Sequence, residues 1–100
     1  MEIQVNFNGE GHALIEVSGR LDVTNSPLLE QSAEECVAKT AHIVMDIAGV
    51  EYISSAGLRV LLTVHKKCAQ QNGRFVVINP NEFARELFEM TGFADVLNLE

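Results

Sequence analysis

Basic residues are scarce in this chain of 100 residues, which has seven Lys and Arg against fourteen Asp and Glu and a formal net charge of -7. Nucleic-acid binding needs clustered Lys and Arg to displace counterions from phosphate, and an anionic membrane surface attracts the same residues. The shortage therefore argues against nucleic acid and against a membrane as partners. A basic protein surface is the more natural partner.

Long apolar runs and paired cysteines are missing too. No run approaches the ~20 apolar residues of a membrane-spanning helix, and the first residues, Met1 to Val5, lack the basic and apolar segments of a signal peptide. We therefore expect a cytoplasmic protein. The two cysteines, Cys36 and Cys68, are too far apart for a redox or zinc CxxC motif. We expect them to be buried free thiols, and we expect no metal or other cofactor.

Motifs for catalysis are mostly absent. Neither GxGxxG nor GxxxxGK[ST] occurs, and His12, His42 and His65 have no ligand partners at metal-binding spacing. The segment that begins at Ser55 matches the second half of a G-x-S-x-G nucleophile elbow, but Ile53 stands in place of the first glycine. Ten residues of helix would put His65 about 15 Å from Ser55. We therefore predict a protein that is not an enzyme, with His65 a satisfied residue on an apolar helix face.

The apolar pattern predicts one domain over residues 1–100, since a chain of this length has room for one core. Short β-branched runs alternate with amphipathic helical segments, which predicts right-handed crossovers onto a mostly parallel sheet. A polar, glycine-bearing break at 8–12 predicts a hairpin. The fold class is therefore α/β, with a mixed sheet of four to five strands, an N-terminal hairpin and three helices. Strands are expected near 5–7, 14–17, 42–47, 75–78 and 96–99, and a loop at 48–54. Helices are expected at 26–40 and 55–71, and a third is opened by Pro80-Asn81-Glu82 and closed by Gly92.

Each predicted helix has an apolar side. In the first helix, Ser26 is expected to cap the start and Pro27 to take the first helical position, where its missing N–H costs nothing. The residues expected to be buried are Leu29, Ala33, Cys36 and Val37 in the first helix, Leu58, Leu61, Leu62, His65 and Ala69 in the second, and Phe83, Leu87 and Met90 in the third.

Two adjacent serines, Ser54 and Ser55, stand where the second helix begins. One interpretation is structural, because a serine hydroxyl at a helix start can accept a hydrogen bond from an otherwise unpaired backbone N–H. The other is functional, because an exposed hydroxyl beside small Ala56 and Gly57 is accessible to a kinase. A phosphate there would lie at the positive end of the helix dipole, so the fold would tolerate it. Both interpretations can hold together.

This segment resembles the signature of the STAS domain, which occurs in bacterial anti-sigma-factor antagonists and in the tails of sulfate transporters. The resemblance covers the whole chain, and we expect a free-standing member. The matching segments are Gly19-Arg20-Leu21-Asp22 after the second strand, Asp46-Ile47 at a strand end, Ile53-Ser54-Ser55-Ala56-Gly57-Leu58 in the switch loop, the helix from Phe83 to Met90, and Thr91-Gly92-Phe93.

The resemblance implies a phosphorylation switch. In antagonists of this family, an anti-sigma factor that is also a serine kinase phosphorylates the switch serine, and a phosphatase resets it. The unphosphorylated form binds the anti-sigma factor and so frees the sigma factor. The family's phosphoserine falls on Ser55, with Ser54 as the second choice. The residues expected to contact the partner are Asp22, Ser54, Ala56, Gly57 and Leu58.

Two positions depart from the family pattern. Ser54 replaces an acidic residue before the switch serine, and Ala48 replaces the serine of an Asp-Leu-Ser motif. These departures favour an alternative function, a STAS scaffold that is not phosphorylated or a soluble subunit of a transporter or lipid-transport complex. Binding of a small ligand or nucleotide is a third hypothesis, and it rests on fold analogy alone.

Overall fold

The structure is a computed structural model that describes residues 1–8 and 11–100. It contains five strands and three helices, and a short 3-10 turn lies between the last helix and the last strand. The strands are β1 (Glu2–Phe7), β2 (Ala13–Leu21), β3 (His42–Ile53), β4 (Arg74–Ile78) and β5 (Asn98–Leu99), the helices are α1 (Ser26–Lys39), α2 (Ser55–Gln70) and α3 (Glu82–Thr91), and the turn is Phe93–Asp95.

The five strands form one mixed sheet in the order β1-β2-β3-β4-β5. β1 pairs with β2 in antiparallel fashion, and the later pairs are parallel. Each parallel crossover moves one strand further in the same direction, and right-handed crossovers of this kind place all three helices on one face of the sheet. Ile43, Met45 and Ile47 are accordingly buried beneath the helices, while Val44 and Asp46 are half-buried on the other side, which we call the open face.

The predicted architecture of a mixed sheet, an opening hairpin and three helices is confirmed. The hairpin pairs residues from Glu2↔Ser18 to Phe7↔Ala13, although residues 9 and 10 of the predicted turn lie outside the described residues. The loop predicted at 48–54 is wrong, because β3 continues to Ile53. Register shifts between Glu16 and Ser18 and between Gly19 and Arg20 let β2 stay paired with β3 along this extension.

The start of α1 also differs from the prediction. Asn25, and not Ser26, is the N-cap residue, and its side chain makes no cap hydrogen bond. The Ser26 hydroxyl instead donates to the Asp22 carbonyl, which turns it away from the helix N–H groups. The predicted buried side of α1 is confirmed, with Leu29, Ala33, Cys36 and Val37 all buried.

The predicted buried side of α2 is confirmed at Leu58 and Leu61 but is broader than predicted, and the buried side of α3 is rotated from its predicted position. In α2, Val60, Val64 and Cys68 are buried, whereas Ala69 is exposed. In α3, Ala84 and Phe88 are buried, and Phe83 and Met90 are 42% and 85% exposed. α2 packs against both α1 and the sheet, so its buried surface is broader than a single stripe.

Asn81 fixes the rotation of α3. Its side chain accepts a hydrogen bond from Ala84 N at 2.8 Å and donates one to Val50 O at 2.9 Å. The first turn of α3 is thereby joined to β3, and this attachment selects which of two neighbouring apolar stripes faces the core. The sequence pattern alone does not distinguish the two stripes.

The two cysteines are buried and unpaired, as predicted. Burial raises the pKa of the Cys36 thiol, and nearby Glu35 raises it further. Burial also raises the pKa of Cys68, with a smaller contribution from Cys36. A thiol with a raised pKa is a poor nucleophile at neutral pH, so the two cysteines act as packing residues.

Candidate functional site

The site lies where β3 ends and α2 begins, and Ser54 holds this junction together. Ser54 has extended backbone and is the N-cap residue of α2, and its Oγ accepts a hydrogen bond from Gly57 N at 3.1 Å. Its own N–H donates to Leu21 O at 2.8 Å, which ties the junction to the end of β2. Only 8% of the residue is exposed. Ser54 is therefore a structural cap whose hydroxyl is already engaged.

Ser55 differs from Ser54 in its position, its exposure and the hydrogen bonding of its hydroxyl. It is the first residue of α2 and is exposed to solvent. Among the described residues, its hydroxyl has no hydrogen-bond partner. The whole of α2 is described, and its first turn carries no acidic side chain. No acidic side chain of this first turn therefore offsets the partial positive charge of the helix end, which suits an added anion.

Gly57 allows α2 to approach β2 closely. A Cβ at this position would lie 2.7 Å from Leu21 Cγ and 3.2 Å from Ile53 Cγ2, well inside ordinary contact distance. The first turn of α2 therefore rests directly on the Leu21 side chain. Leu58, the next residue, is 7% exposed and packs into the core.

Asp22 shapes the turn that follows β2. Its Oδ1 accepts hydrogen bonds from Thr24 N at 3.0 Å and from Asn25 N at 3.1 Å. Asn25 Oδ1 accepts from Asp22 N at 2.8 Å, so the two side chains close the turn reciprocally. Since Ser54 N is bonded to the carbonyl of Leu21, this turn lies at the same end of the sheet as the two serines. The Asp22 carboxylate orders the loop beside Ser54 and Ser55.

A groove separates the beginnings of α1 and α2. It has a volume of about 180 Å³, and Val23 on its rim is 70% exposed. Glu30 and Arg59 add one charge of each sign. The remaining lining residues are Ser26, Pro27, Ala56, Val60 and Thr63. The groove can receive an apolar side chain and orient it with polar contacts at its edges.

An aromatic cluster lies next to the junction on β3. The Arg20 guanidinium lies 4.3 Å from the centre of the Tyr52 ring, and that ring stacks on Phe83 with centroids 6.3 Å apart. Tyr52 is two residues before Ser54, so the cluster adjoins the junction of β3 and α2. Sequence reasoning missed the cluster and the groove. The signal for the groove was an apolar residue, Val23, within an otherwise polar turn.

The five predicted partner-contact residues are brought to one end of the sheet, but they are not equally accessible. Asp22 and Ala56 are partly exposed, whereas Ser54, Gly57 and Leu58 are buried. The three buried residues pack beneath the turn. Contact between this turn and a partner stays a prediction.

The described residues give no support for a metal site or a membrane-spanning helix. Over residues 1–8 and 11–100, no group of three His, Cys, Asp or Glu side chains could hold a metal ion. In that same part of the chain, no helix has the length and apolar character needed to cross a bilayer. The expectation that the polar atoms of His65 have hydrogen-bond partners is wrong for Nδ1, which is buried and has no partner in the described part of the chain.

The chain is similar to known proteins over most of its length. The model of the STAS domain family matches residues 3–100. A Bordetella bronchiseptica protein named as an anti-sigma factor antagonist, BtrV, is 38% identical over 78 residues, covering 74% of this chain and 67% of that protein. The anti-sigma-B factor antagonist of Bacillus subtilis is 26% identical over 100 residues, covering 99% of this chain and 92% of its own length.

A solved structure shows the same arrangement of elements. The crystal structure of an anti-sigma factor antagonist from Mycobacterium paratuberculosis superimposes with a TM-score of 0.86 at 28% identity. The match covers 98% of this chain and 83% of that one. The chain belongs to the STAS domain family.

Proposed function

We propose that this protein is an anti-sigma-factor antagonist, a binding module whose contact with its partner is switched by phosphorylation of Ser55. The observation that carries the proposal is the contrast between the two serines: Ser54 is a buried N-cap with an engaged hydroxyl, and Ser55 is exposed with a hydroxyl that has no partner among the described residues. Relatives named as anti-sigma factor antagonists support the partner class. The partner is an anti-sigma factor with serine kinase activity, a phosphatase reverses the modification, and the exchange takes place in the cytoplasm.

The surface around Ser55 supports binding by the unphosphorylated form. The groove and the exposed Val23 offer apolar area within a few residues of the hydroxyl. The net charge of -7 favours a partner surface that is comparatively basic. The partner therefore covers the switch turn together with the groove.

Phosphorylation acts on this contact and leaves the fold nearly unchanged. A phosphoserine adds a charge of about -1.5 to -2, and in the free protein this charge sits against the positive end of α2. In the complex it would be desolvated and would face the nucleotide phosphates bound by the partner kinase, and like charges placed together at an interface cost several kcal/mol. We expect binding to weaken by about a hundredfold or more, equivalent to about 2.7 kcal/mol. The stability of the free protein should change by about 1 kcal/mol or less.

Phosphorylation of matched serine variants tests the modification itself. Incubation with the cognate kinase and ATP should add one phosphate, measured by intact mass. Ser55→Ala should abolish the addition, and Ser54→Ala should leave it largely intact. The reverse pattern would move the modification to Ser54, and a protein that the kinase leaves unmodified would favour the scaffold alternative.

Calorimetric titration of the anti-sigma factor tests the switch. Ser55→Ala should bind constitutively, and Ser55→Asp should bind poorly while melting within a few degrees of the wild type. Equal affinities for the two variants would refute the switch. A collapsed melting temperature for Ser55→Asp would mean that the charge acts by unfolding the helix end.

A further inference from the structure

The chain has seven Lys and Arg side chains, and all of them lie in the part that the structure describes. Those already engaged by an aromatic ring or a carboxylate are Arg20, Lys39, Lys67 and Arg74. Those with neither kind of partner among the described residues are Arg59, Lys66 and Arg85. Arg59 is exposed on α2 and is the unengaged cation nearest to Ser55 along the helix.

Arg59 lies about one turn after Ser55. Residues four apart on a helix are neighbours, with Cβ atoms about 5–6 Å apart. Helical side chains lean towards the helix N-terminus, so Arg59 extends back over the turn that carries Ser55. Its place in the groove wall beside Ala56 agrees with that direction. Ser54 is five residues before Arg59, which corresponds to about 140° around the helix. Arg59 is therefore positioned for an anion on Ser55 and not for one on Ser54.

We propose that Arg59 binds the phosphate of Ser55 within the free protein, with two N–H groups of the guanidinium donating to two phosphate oxygens. This inference rests on the proposed modification of Ser55. A planar guanidinium presents parallel donors that match phosphate oxygens, and such charge-assisted pairs are stronger than neutral hydrogen bonds. An anion on the N-terminal side of a cation at this spacing also agrees with the helix dipole.

The same side chain links the phosphate to the groove. Among the residues that line the groove, Arg59 is the cation and Glu30 is the carboxylate. No ion pair joins them in the described part of the chain, so Glu30 does not hold the guanidinium in the groove wall. A guanidinium drawn to the phosphate leaves Glu30 as the charged group of the groove. The two phosphorylation states therefore differ at the groove as well as at Ser55.

Phosphorus NMR tests the contact on the full chain with phosphoserine inserted at position 55 during translation, so that no kinase is needed. The second proton of phosphoserine dissociates near pH 6, and a nearby guanidinium favours that dissociation. Arg59→Gln should raise the pKa of this step and weaken the dissociation about threefold, equivalent to about 0.65 kcal/mol. Arg59→Lys should give an intermediate value, because an ammonium keeps the charge but loses the paired donors.

Lys66→Gln is the matched control. It removes the same charge from the same helix, but eleven residues of rise place it about 16 Å from Ser55. At that distance an exposed charge is largely screened, so the dissociation of the phosphate proton should change less than about 1.5-fold. Equal effects of Lys66→Gln and Arg59→Gln would overturn the proposal. A larger effect for Arg20→Gln would assign the phosphate to Arg20 and overturn it as well.

Urea unfolding separates a phosphate contact from a structural role of Arg59. Without the phosphate, Arg59→Gln should unfold at the same urea concentration as the wild type, because the guanidinium has no ion-pair partner among the described residues. With the phosphate, the variant should unfold at lower urea than the phosphorylated wild type. Equal shifts with and without the phosphate would overturn the proposal. Failure of a kinase to modify Ser55 would count against the proposed function alone, since the phosphate here is installed during translation.

Discussion

Replacing Ser54 by alanine should separate the structural serine from the exposed one. The change removes the Oγ that accepts a hydrogen bond from Gly57 N, and it leaves that N–H buried beneath the turn. Ser55→Ala is the matched control, since it removes a hydroxyl of the same kind from the adjacent residue. Among the described residues that hydroxyl has no partner.

The expected magnitudes follow from these contacts. Loss of a serine N-cap destabilises a helix by about 1 kcal/mol, within a range of about 0.5 to 2. Ser54 belongs in the upper half of that range, because it is only 8% exposed and water cannot readily replace the lost acceptor. For a domain of 100 residues, 1 kcal/mol corresponds to a fall of about 4 to 8 °C in Tm. Ser55→Ala should change the free energy of unfolding by less than about 0.5 kcal/mol, as surface substitutions usually do.

Urea unfolding followed by circular dichroism measures both variants against the wild type. The Ser54→Ala transition should move to lower urea with an unchanged slope, since the unfolded surface is the same. The reasoning would be refuted by equal destabilisation in the two variants, or by a larger effect for Ser55→Ala. A larger effect for Ser55→Ala would mean that Ser55 caps α2, and equal effects would mean that the two hydroxyls stabilise the helix start equally.

Three further outcomes follow from the packing. Gly57→Ala should lower the free energy of unfolding by about 1 to 3 kcal/mol, because the new Cβ would come within 2.7 Å of Leu21 Cγ. An unchanged free energy in urea unfolding would show that the contact relaxes freely. Asn81→Ala should lower the free energy of unfolding by about 1 to 2 kcal/mol, and the amides of α3 should be the first to exchange faster with solvent. Amide protection that changes equally across all elements would contradict the role of Asn81 as the anchor of that helix. Burial raises the pKa of Cys36 and Cys68, so the folded state holds these thiol protons more tightly than the unfolded state does. The free energy of unfolding should therefore decline as the pH rises above the unfolded-state pKa of about 8.5. Iodoacetamide should label both only in denaturant, and rapid labelling of the native protein would contradict their burial.

Much of the fold could be predicted from sequence because strand and helix patterns alternate regularly. The hairpin, the three helices and the parallel pairing all follow from that alternation. The start of α2 at Ser55 was predictable for a local reason, since small residues and a hydroxyl mark a helix start. The length of β3 was not, because two register shifts in its pairing with β2 carry it through glycine and polar residues as far as Ile53.

The missed features depend on contacts between elements. Phe83 and Met90 form an apolar stripe that reads as core, yet the attachment of Asn81 to β3 turns that stripe outward. The groove likewise exists only because the turn after β2 and the start of α2 meet at one end of the sheet. The apolar periodicity of a single helix does not show how that helix is rotated against the sheet or which elements meet at the groove.

The strand order of the sheet has a consequence for how the chain folds during synthesis. Each strand lies beside the strand that precedes it in sequence, so no later segment has to be inserted between earlier ones. The contacts are consequently local for a parallel sheet, and local contacts favour rapid folding. On the ribosome, each strand emerges directly after its neighbour in the sheet, so the order of synthesis matches the order of the strands across the sheet.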